Sequence, residues 1–288
     1  MANLKDIRTR IKSVKSTRQI TSAMKMVSAA KLRKAQNRIE QLRPYAEKLQ
    51  QILSHVSKSM SDDKDFIYVK EREVKKVLMV IITSNKGLCG SFNSNVVKKS
   101  LAFISEHYSD AEVEVITIGK KANDMMKKQQ YKIVQSETDI FDKLNFNEVT
   151  EFADQFMAWF ADGTYDKIFT VYNSFINTVT QEVKTEQYLP MVLESGEDDE
   201  ETYDYIFEPD KDTITKELIP KSLRTQLFKD ILDSFAAEHG ARMTAMHQAT
   251  DNATELLDEI TLQYNKARQA TITNELLEIT SGADALKG

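Results

Sequence analysis

Cysteine is nearly absent, with Cys89 alone among 288 residues. A lone thiol cannot close an internal disulfide, which fits a reducing, cytoplasmic setting. The four histidines (His55, His107, His239 and His247) are scattered and share no zinc-binding spacing with that cysteine. His239 and His247 stand eight apart, so both are expected on a helix surface. The longest apolar run, Val77 to Ile82, is far too short to span a bilayer. The basic start has no apolar stretch behind it, so a secretory signal is not expected. Glycine is missing before Gly87, and Pro44 is the only proline before Pro190. After Pro220 there is no further proline, and only Gly240 precedes Gly282. Both ends therefore read as long helices around a centre folded in short pieces. Aromatic residues are missing before Tyr45.

Charge is just as uneven. Acid is scarce at the start: residues 1–34 hold ten Lys or Arg against Asp6 alone, a local balance of +9. Base is scarce in 194–212, where ten acids face only Lys211. The net charge of −5 hides both blocks, which fits two different partners or two parts of one partner.

Periodicity supports the long helices. Leu4, Ile7, Ile11 and Val14 step by three and four, and after a skip Ile20, Met24 and Val27 resume the series. It continues through Ala35, Ile39, Leu42, Ala46, Leu49, Leu53 and Val56. A matching seam runs from Met243 and Met246 through Ala253, Leu257, Ile260, Tyr264 and Ala267, then Ile272, Leu276, Ile279, Ala283 and Leu286. Narrow seams of this kind mark a coiled coil. The simplest solution is an antiparallel pair of the two ends, much of it projecting beyond the globular part.

Between them, strands are expected at 75–83, 112–119, 131–137 and 166–175, with helices at 94–108, 120–130 and 147–162. Later strands are expected within 179–191 and at 203–209, flanking the acidic stretch. Alternation of strand and helix implies a parallel, doubly wound α/β sheet with helices on both faces.

The turn "SNKGLCGSFN" after the first strand is the obvious phosphate-binding candidate. It supplies Gly87 and Gly90 but neither G-x-G-x-x-G nor the Lys-Ser/Thr of a Walker loop. The second strand ends in Gly119 and two lysines rather than the acid that holds a ribose. A structural turn is favoured, no cofactor is expected, and Cys89 is read as inert. For the basic N-terminal helix, nucleic-acid binding wants aromatics and membrane binding wants bulky apolar residues. Instead Ser22, Ala23, Ser28, Ala29 and Ala30 crowd it. A plain solvated face is the bland reading. The sharper one is a slim helix pair passing through a sleeve and touching it through charges.

Four stretches carry a resemblance: "IKSVKSTRQITSAMKMVSAAKLRKAQ", "SNKGLCGSFN", "ARMTAMHQATDNA" and "YNKARQATITNELLEITSGADAL". Together, in this order and from end to end, they resemble the gamma subunits of bacterial F-type ATP synthases. The resemblance implies an antiparallel coiled-coil shaft from 1–60 and 211–288, and a Rossmann-like domain without nucleotide at 75–210. It implies a non-catalytic rotor, one copy per complex, seated in the alpha3beta3 ring and joined at its foot to epsilon and the c-ring. No nucleic acid is implied, and the place would be the cytoplasmic face of the bacterial membrane. By position, Met24, Lys25, Lys86 and Cys89 match contacts near the acidic lever of beta. Arg242 matches the neck, and Arg268, Gln269 and Thr273 match polar groups meeting beta higher on the shaft. Thiol regulation, which in chloroplast relatives needs a cysteine pair, is not implied. Rival readings are an enzyme using the α/β domain and a nucleic-acid-binding coiled coil.

Overall fold

The computed structural model describes residues 4–58, 67–192 and 211–285. Its elements run α1 (Leu4–Lys58), β1 (Lys76–Ile82), α2 (Phe92–His107), β2 (Glu112–Ile118), α3 (Lys120–Met126) and β3 (Lys132–Glu137). They continue with α4 (Ile140–Lys143), α5 (Phe146–Ala161), β4 (Lys167–Phe175), β5 (Gln181–Leu189) and α6 (Lys211–Ala285). Two compact units result: residues 1–28 with 243–288, and residues 29–242. Both boundaries fall inside α1 and α6, so each long helix serves both units. The strand expected at 203–209 lies outside the described residues.

In the first unit α1 and α6 are antiparallel. Arg8 Nη2 donates to the Tyr264 hydroxyl at 2.8 Å, and the hydroxyls of Thr21 and Thr250 meet at 2.8 Å. Thirteen residues forward along α1 thus match fourteen back along α6. The covered positions of α1 step by three and four without a break: Leu4, Ile7, Ile11, Val14, Arg18, Thr21, Lys25 and Ser28. The same phase continues through Leu32, Ala35, Ile39, Leu42, Ala46, Leu49 and Leu53. The expected skip does not occur. Ile20 and Val27 point outward, 60% and 58% exposed, while Thr21 and Ser28 take the seam.

Polar seam residues are tolerated because the helix satisfies them. Thr21 Oγ1 donates to the Arg18 carbonyl and Ser28 Oγ to that of Met24. On α6 the covered series is Met246, Thr250, Ala253, Leu257, Ile260, Tyr264, Ala267 and Thr271. The expected continuation through Ile272, Leu276 and Ile279 is exposed, along with Leu277. The register explains this: Leu4 stands opposite about residue 268, so α6 runs on for roughly 17 residues, about 25 Å, past the described start of α1.

In the second unit the sheet order is β3-β2-β1-β4-β5. β1 pairs in parallel with β2 and β4, and β2 with β3. β5 is antiparallel to β4, so the sheet is mixed rather than wholly parallel. The cause is the connection. Residues 176–180 form a tight turn capped by Asn177, whose side chain accepts from the amides of Val179 and Thr180. A parallel return needs a far longer crossover.

Strand alternation sends Val77, Met79, Ile81, Phe169 and Val171 to one face, against Val96, Val97 and Ile104 of α2 and Ala122 and Met126 of α3. The opposite face meets α5 and α6. Tyr188 packs edge-on to Phe156, Tyr188 Oη donates to the Leu223 carbonyl, and Thr170 Oγ1 donates to Asp230. Burial lifts the Asp230 carboxyl far above its usual range, and nearby Glu186 adds to it.

One buried carboxylate ties the N-terminal ends of three strands. Glu114 accepts from Lys132 at 2.6 Å, from Tyr165 Oη at 2.5 Å and from Lys76 at 3.0 Å. Burial alone would raise its pKa, but the donors from Lys132, Tyr165 and Lys76 prevail and pull it down to about 2.

Two outcomes test this architecture. Leu32→Ala should cost about 2–5 kcal/mol in urea unfolding, whereas Ile20→Ala should shift stability by no more than about 0.5 kcal/mol. The reverse ranking would place the seam on the wrong face. Because the Glu114 pKa is depressed in the fold, its stabilisation is complete above pH 4.5 and drains away as pH falls towards 2. Glu114→Gln should lower stability by about 2–4 kcal/mol at pH 7 and flatten that acid slope in pH-dependent unfolding.

Candidate functional site

Around the β1–α2 turn, residues 84–91, the sequence candidates Lys86, Cys89 and Arg242 come together. Ser84 Oγ donates to the Lys86 carbonyl at 2.7 Å and accepts from Asn93 Nδ2 at 2.9 Å. Asn93 Oδ1 in turn accepts from the Ser84 amide at 2.9 Å. From α6, Arg242 donates to the carbonyls of Gly87 and Lys86 and to the carboxylate of Glu238 one turn back. The turn is thus pinned at both ends by its own polar groups. Gly119, at the end of β2, has φ +105, and a side chain there would strike the Thr83 carbonyl. Within the turn, the side chains of Ser84 and Asn93 bond each other and the backbone at Ser84 and Lys86.

Electrostatics separates the exposed members of this cluster from the buried ones. Cys89 is 1% exposed and Arg242 7%. Burial pushes the Cys89 thiol up, and the Ser84 hydrogen bond and nearby Arg242 offset only part of that, which leaves an inert thiol. Glu238 is likewise raised by burial against the pull of Arg242. Arg242 therefore acts inward, holding the turn on α6, while Lys86 is exposed.

His239 departs from expectation. It is 5% exposed rather than on the surface, packed edge-on against Phe235 with ring centroids 4.5 Å apart. Neither ring nitrogen has a hydrogen-bond partner among the described residues. Burial, with Lys31 and Arg242 nearby, drops its pKa to about 3 and keeps the ring neutral. Eight-residue spacing from His247 could not reveal this, because α6 is covered continuously from Ala236 to Gly240 where it crosses the sheet domain.

The other candidates belong to the helical pair. Met24 and Lys25 are half-buried on α1, while Arg268, Gln269 and Thr273 are exposed on consecutive turns of α6. Thr273 Oγ1 bonds the Gln269 carbonyl at 2.9 Å. The antiparallel register sets Met24 opposite about residue 247, so the 268–273 group lies about 30 Å further along α6. These form two separate patches. Sequence reading missed Leu88, 64% exposed at the tip of the turn, and the outward apolar residues Ile20, Met26 and Val27. Glu238 was legible, standing four residues before Arg242 on a helix.

Among the described residues no group of acids, histidines or cysteines is arranged to hold a metal, and no helix is long and apolar enough to cross a membrane. A groove of about 850 Å³ lies between α1, β5 and α6. Arg43, Lys184 and Lys229 share it with Glu40, Glu47, Glu186 and Asp233, a mixture of both signs.

A three-stranded 3-2-1 core extended by β4 and β5 defines a Rossmann-like domain, and the two very long helices form an antiparallel helical pair. The profile describing the ATP synthase family matches residues 3–286. Over the full length of both chains, this chain is 55% identical to the ATP synthase gamma chain of Flavobacterium psychrophilum and 56% to that of Flavobacterium johnsoniae. It belongs to the ATP synthase gamma chain family. Among solved structures, it matches a chain of the Tetrahymena thermophila mitochondrial ATP synthase central stalk and c-ring at TM-score 0.60 and 25% identity. That match covers 80% of this chain and 99% of the other. A chain of the Euglena gracilis mitochondrial ATP synthase shares the fold at TM-score 0.67 and 21% identity, over 98% and 94% of the two chains.

A depressed histidine pKa means that the unfolded chain takes up a proton which the buried ring refuses. Stability should be complete above pH 6.5 and fall as pH drops towards 3. His239→Phe should lessen that fall, read as a smaller difference between urea midpoints at pH 7 and pH 4.

Proposed function

We infer that this chain is the central rotor shaft of an F-type ATP synthase, coupling proton-driven rotation of the c-ring to the conformational cycle of the catalytic beta subunits. The observation that carries this reading is full-length membership of the gamma chain family, joined to an antiparallel helical pair in which α1 is basic. The shaft itself performs no chemistry. It acts by meeting the three beta conformations unequally, since a partner indifferent to state shifts no equilibrium.

In this reading residues 1–60 and 211–288 form the shaft and 75–210 the foot. Met24, Lys25 and Lys86 meet acidic segments of beta, while Cys89 and Arg242 support the turn that carries Lys86. Arg268, Gln269 and Thr273 offer exposed donors to a second level of the ring. One copy serves each alpha3beta3 ring, with epsilon and the c-ring at the foot, on the cytoplasmic face of the membrane. The basic start of α1 supports an acidic partner, and the helix's small side chains at 22, 23 and 28–30 support a close-fitting sleeve.

Reconstitution tests the reading. The full chain added to purified alpha and beta subunits should enter at one copy per three beta subunits and stimulate ATP hydrolysis. Failure to associate would remove the proposal. Met24→Lys puts a second cation beside Lys25 on a half-buried position. It should leave the far-ultraviolet circular dichroism unchanged while lowering the ratio of ATP synthesis to proton flow in membrane vesicles.

A further inference from the structure

The charges of α1 are unevenly balanced around the helix. Glu40 and Glu47 stand with Arg43 on the side that lines the groove against β5. Another side faces α4 and α6 across a smaller cleft of about 140 Å³, and there the charge comes from Lys31, Lys34 and Arg38. Among the described residues no carboxylate lines this cleft. Its apolar lining includes Phe141 and Leu144 at α4 and Phe235 of α6.

Three cations spaced by three and four share one face of α1, where like charges repel. Lys31 and Lys34 have no ion-pair partner among the described residues. Arg38 gives Nη1 to the Leu144 carbonyl at 3.3 Å, and its other donors meet no partner there. Glu238 of α6 is close enough to feel Lys31, but its carboxylate is bound to Arg242.

The cleft is also preformed. The Arg38 hydrogen bond ties α1 to the end of α4, where Leu144 takes a left-handed φ of +34. The Phe141 and Phe235 rings stack with centroids 6.3 Å apart and 12° between their planes, tying α4 to α6. Against Phe235 lies the buried His239 ring, with neither nitrogen partnered among the described residues and Lys31 acting on it. An unpartnered buried imidazole beside unpaired cations is a second, independent mark of a polar ligand.

Size and charge select that ligand. At about 30 Å³ per liquid water the cleft has room for about five, which suits a phosphate group and is too small for a folded loop. Two ammonium groups and a guanidinium fork supply the donors that phosphate oxygens accept.

We propose that the cleft between α1, α4 and α6 binds a phosphate group, held by Lys31, Lys34 and Arg38 beside the stacked rings of Phe141 and Phe235. The site is separate from the β1–α2 turn and does not rest on the shaft reading. Free inorganic phosphate and the terminal phosphate of a nucleotide offer the same chemistry.

The test titrates the full-length chain by calorimetry in chloride buffer at fixed ionic strength, with inorganic phosphate and ADP as separate probes. One site per chain should saturate with at least one of them. Tighter binding of phosphate identifies the free anion, and tighter binding of ADP the nucleotide. Lys34→Gln, at an exposed position, should raise the dissociation constant on the order of tenfold. Arg38→Gln should do the same, and if it loosens the fold Lys34→Gln alone decides. Arg33→Gln removes the same charge from an exposed position outside the cleft and should leave binding unchanged. The imidazole resonances of His239, assigned with His239→Phe, should shift on saturation while those of His107 stay. No saturable binding of either probe, equal weakening by Lys34→Gln and Arg33→Gln, or an unmoved His239 signal would each overturn the proposal.

Discussion

Everything in this chain hangs on the phase of one helical face. From Leu4 to Leu53 the covered side of α1 advances by threes and fours without a stutter. A straight α-helix drifts about 20° per heptad against such a repeat, so the repeat has to be absorbed by supercoiling. Keeping that phase forces the turns from Arg18 to Ser28 to use what the sequence supplies there, which is hydroxyls and the stems of basic side chains. It also expels Ile20 and Val27 to the outside. A weakly apolar seam and an apolar outer stripe are thus two results of one constraint.

The α/β domain obeys a comparable economy. At the end of β1 the polar side chains of Ser84 and Asn93 bond each other and the backbone of the turn. Arg242 extends that closure to α6. The ends of β1 and β2 thereby become a rigid platform, and at the opposite end of the strands Glu114 gathers two lysines and a tyrosine to do the same job. Burial pushes the Asp230 carboxyl up and the His239 imidazole down, each toward its neutral form where α6 packs on the sheet.

Much of this was legible in the amino-acid order. The absence of glycine before Gly87 and of proline after Pro220 announced the long helices, and four strands and three helices of the centre fell where β-branched runs and helical periodicity put them. What was not legible has specific causes. The seam slipped onto Ile20 and Val27 because apolarity was read as burial, while a hydroxyl bonded within its own helix is equally at home in a seam. β5 reversed direction because the length of a connection, rather than the pattern of a strand, sets parallel or antiparallel pairing. Leu88, left-handed at φ +63, carries no signal in sequence at all: three-dimensional clamping creates it.

The stretch of α6 beyond Thr271 has a consequence for how the helix melts. An isolated helix of some 14 residues would be marginal in water because its first turn is costly to form. Here that nucleus is already built, since the paired part of α6 supplies it. The solitary end is therefore an extension that lengthens or shortens residue by residue. It has no all-or-none transition of its own, and its helical content follows side-chain propensity and whatever surface lies alongside it.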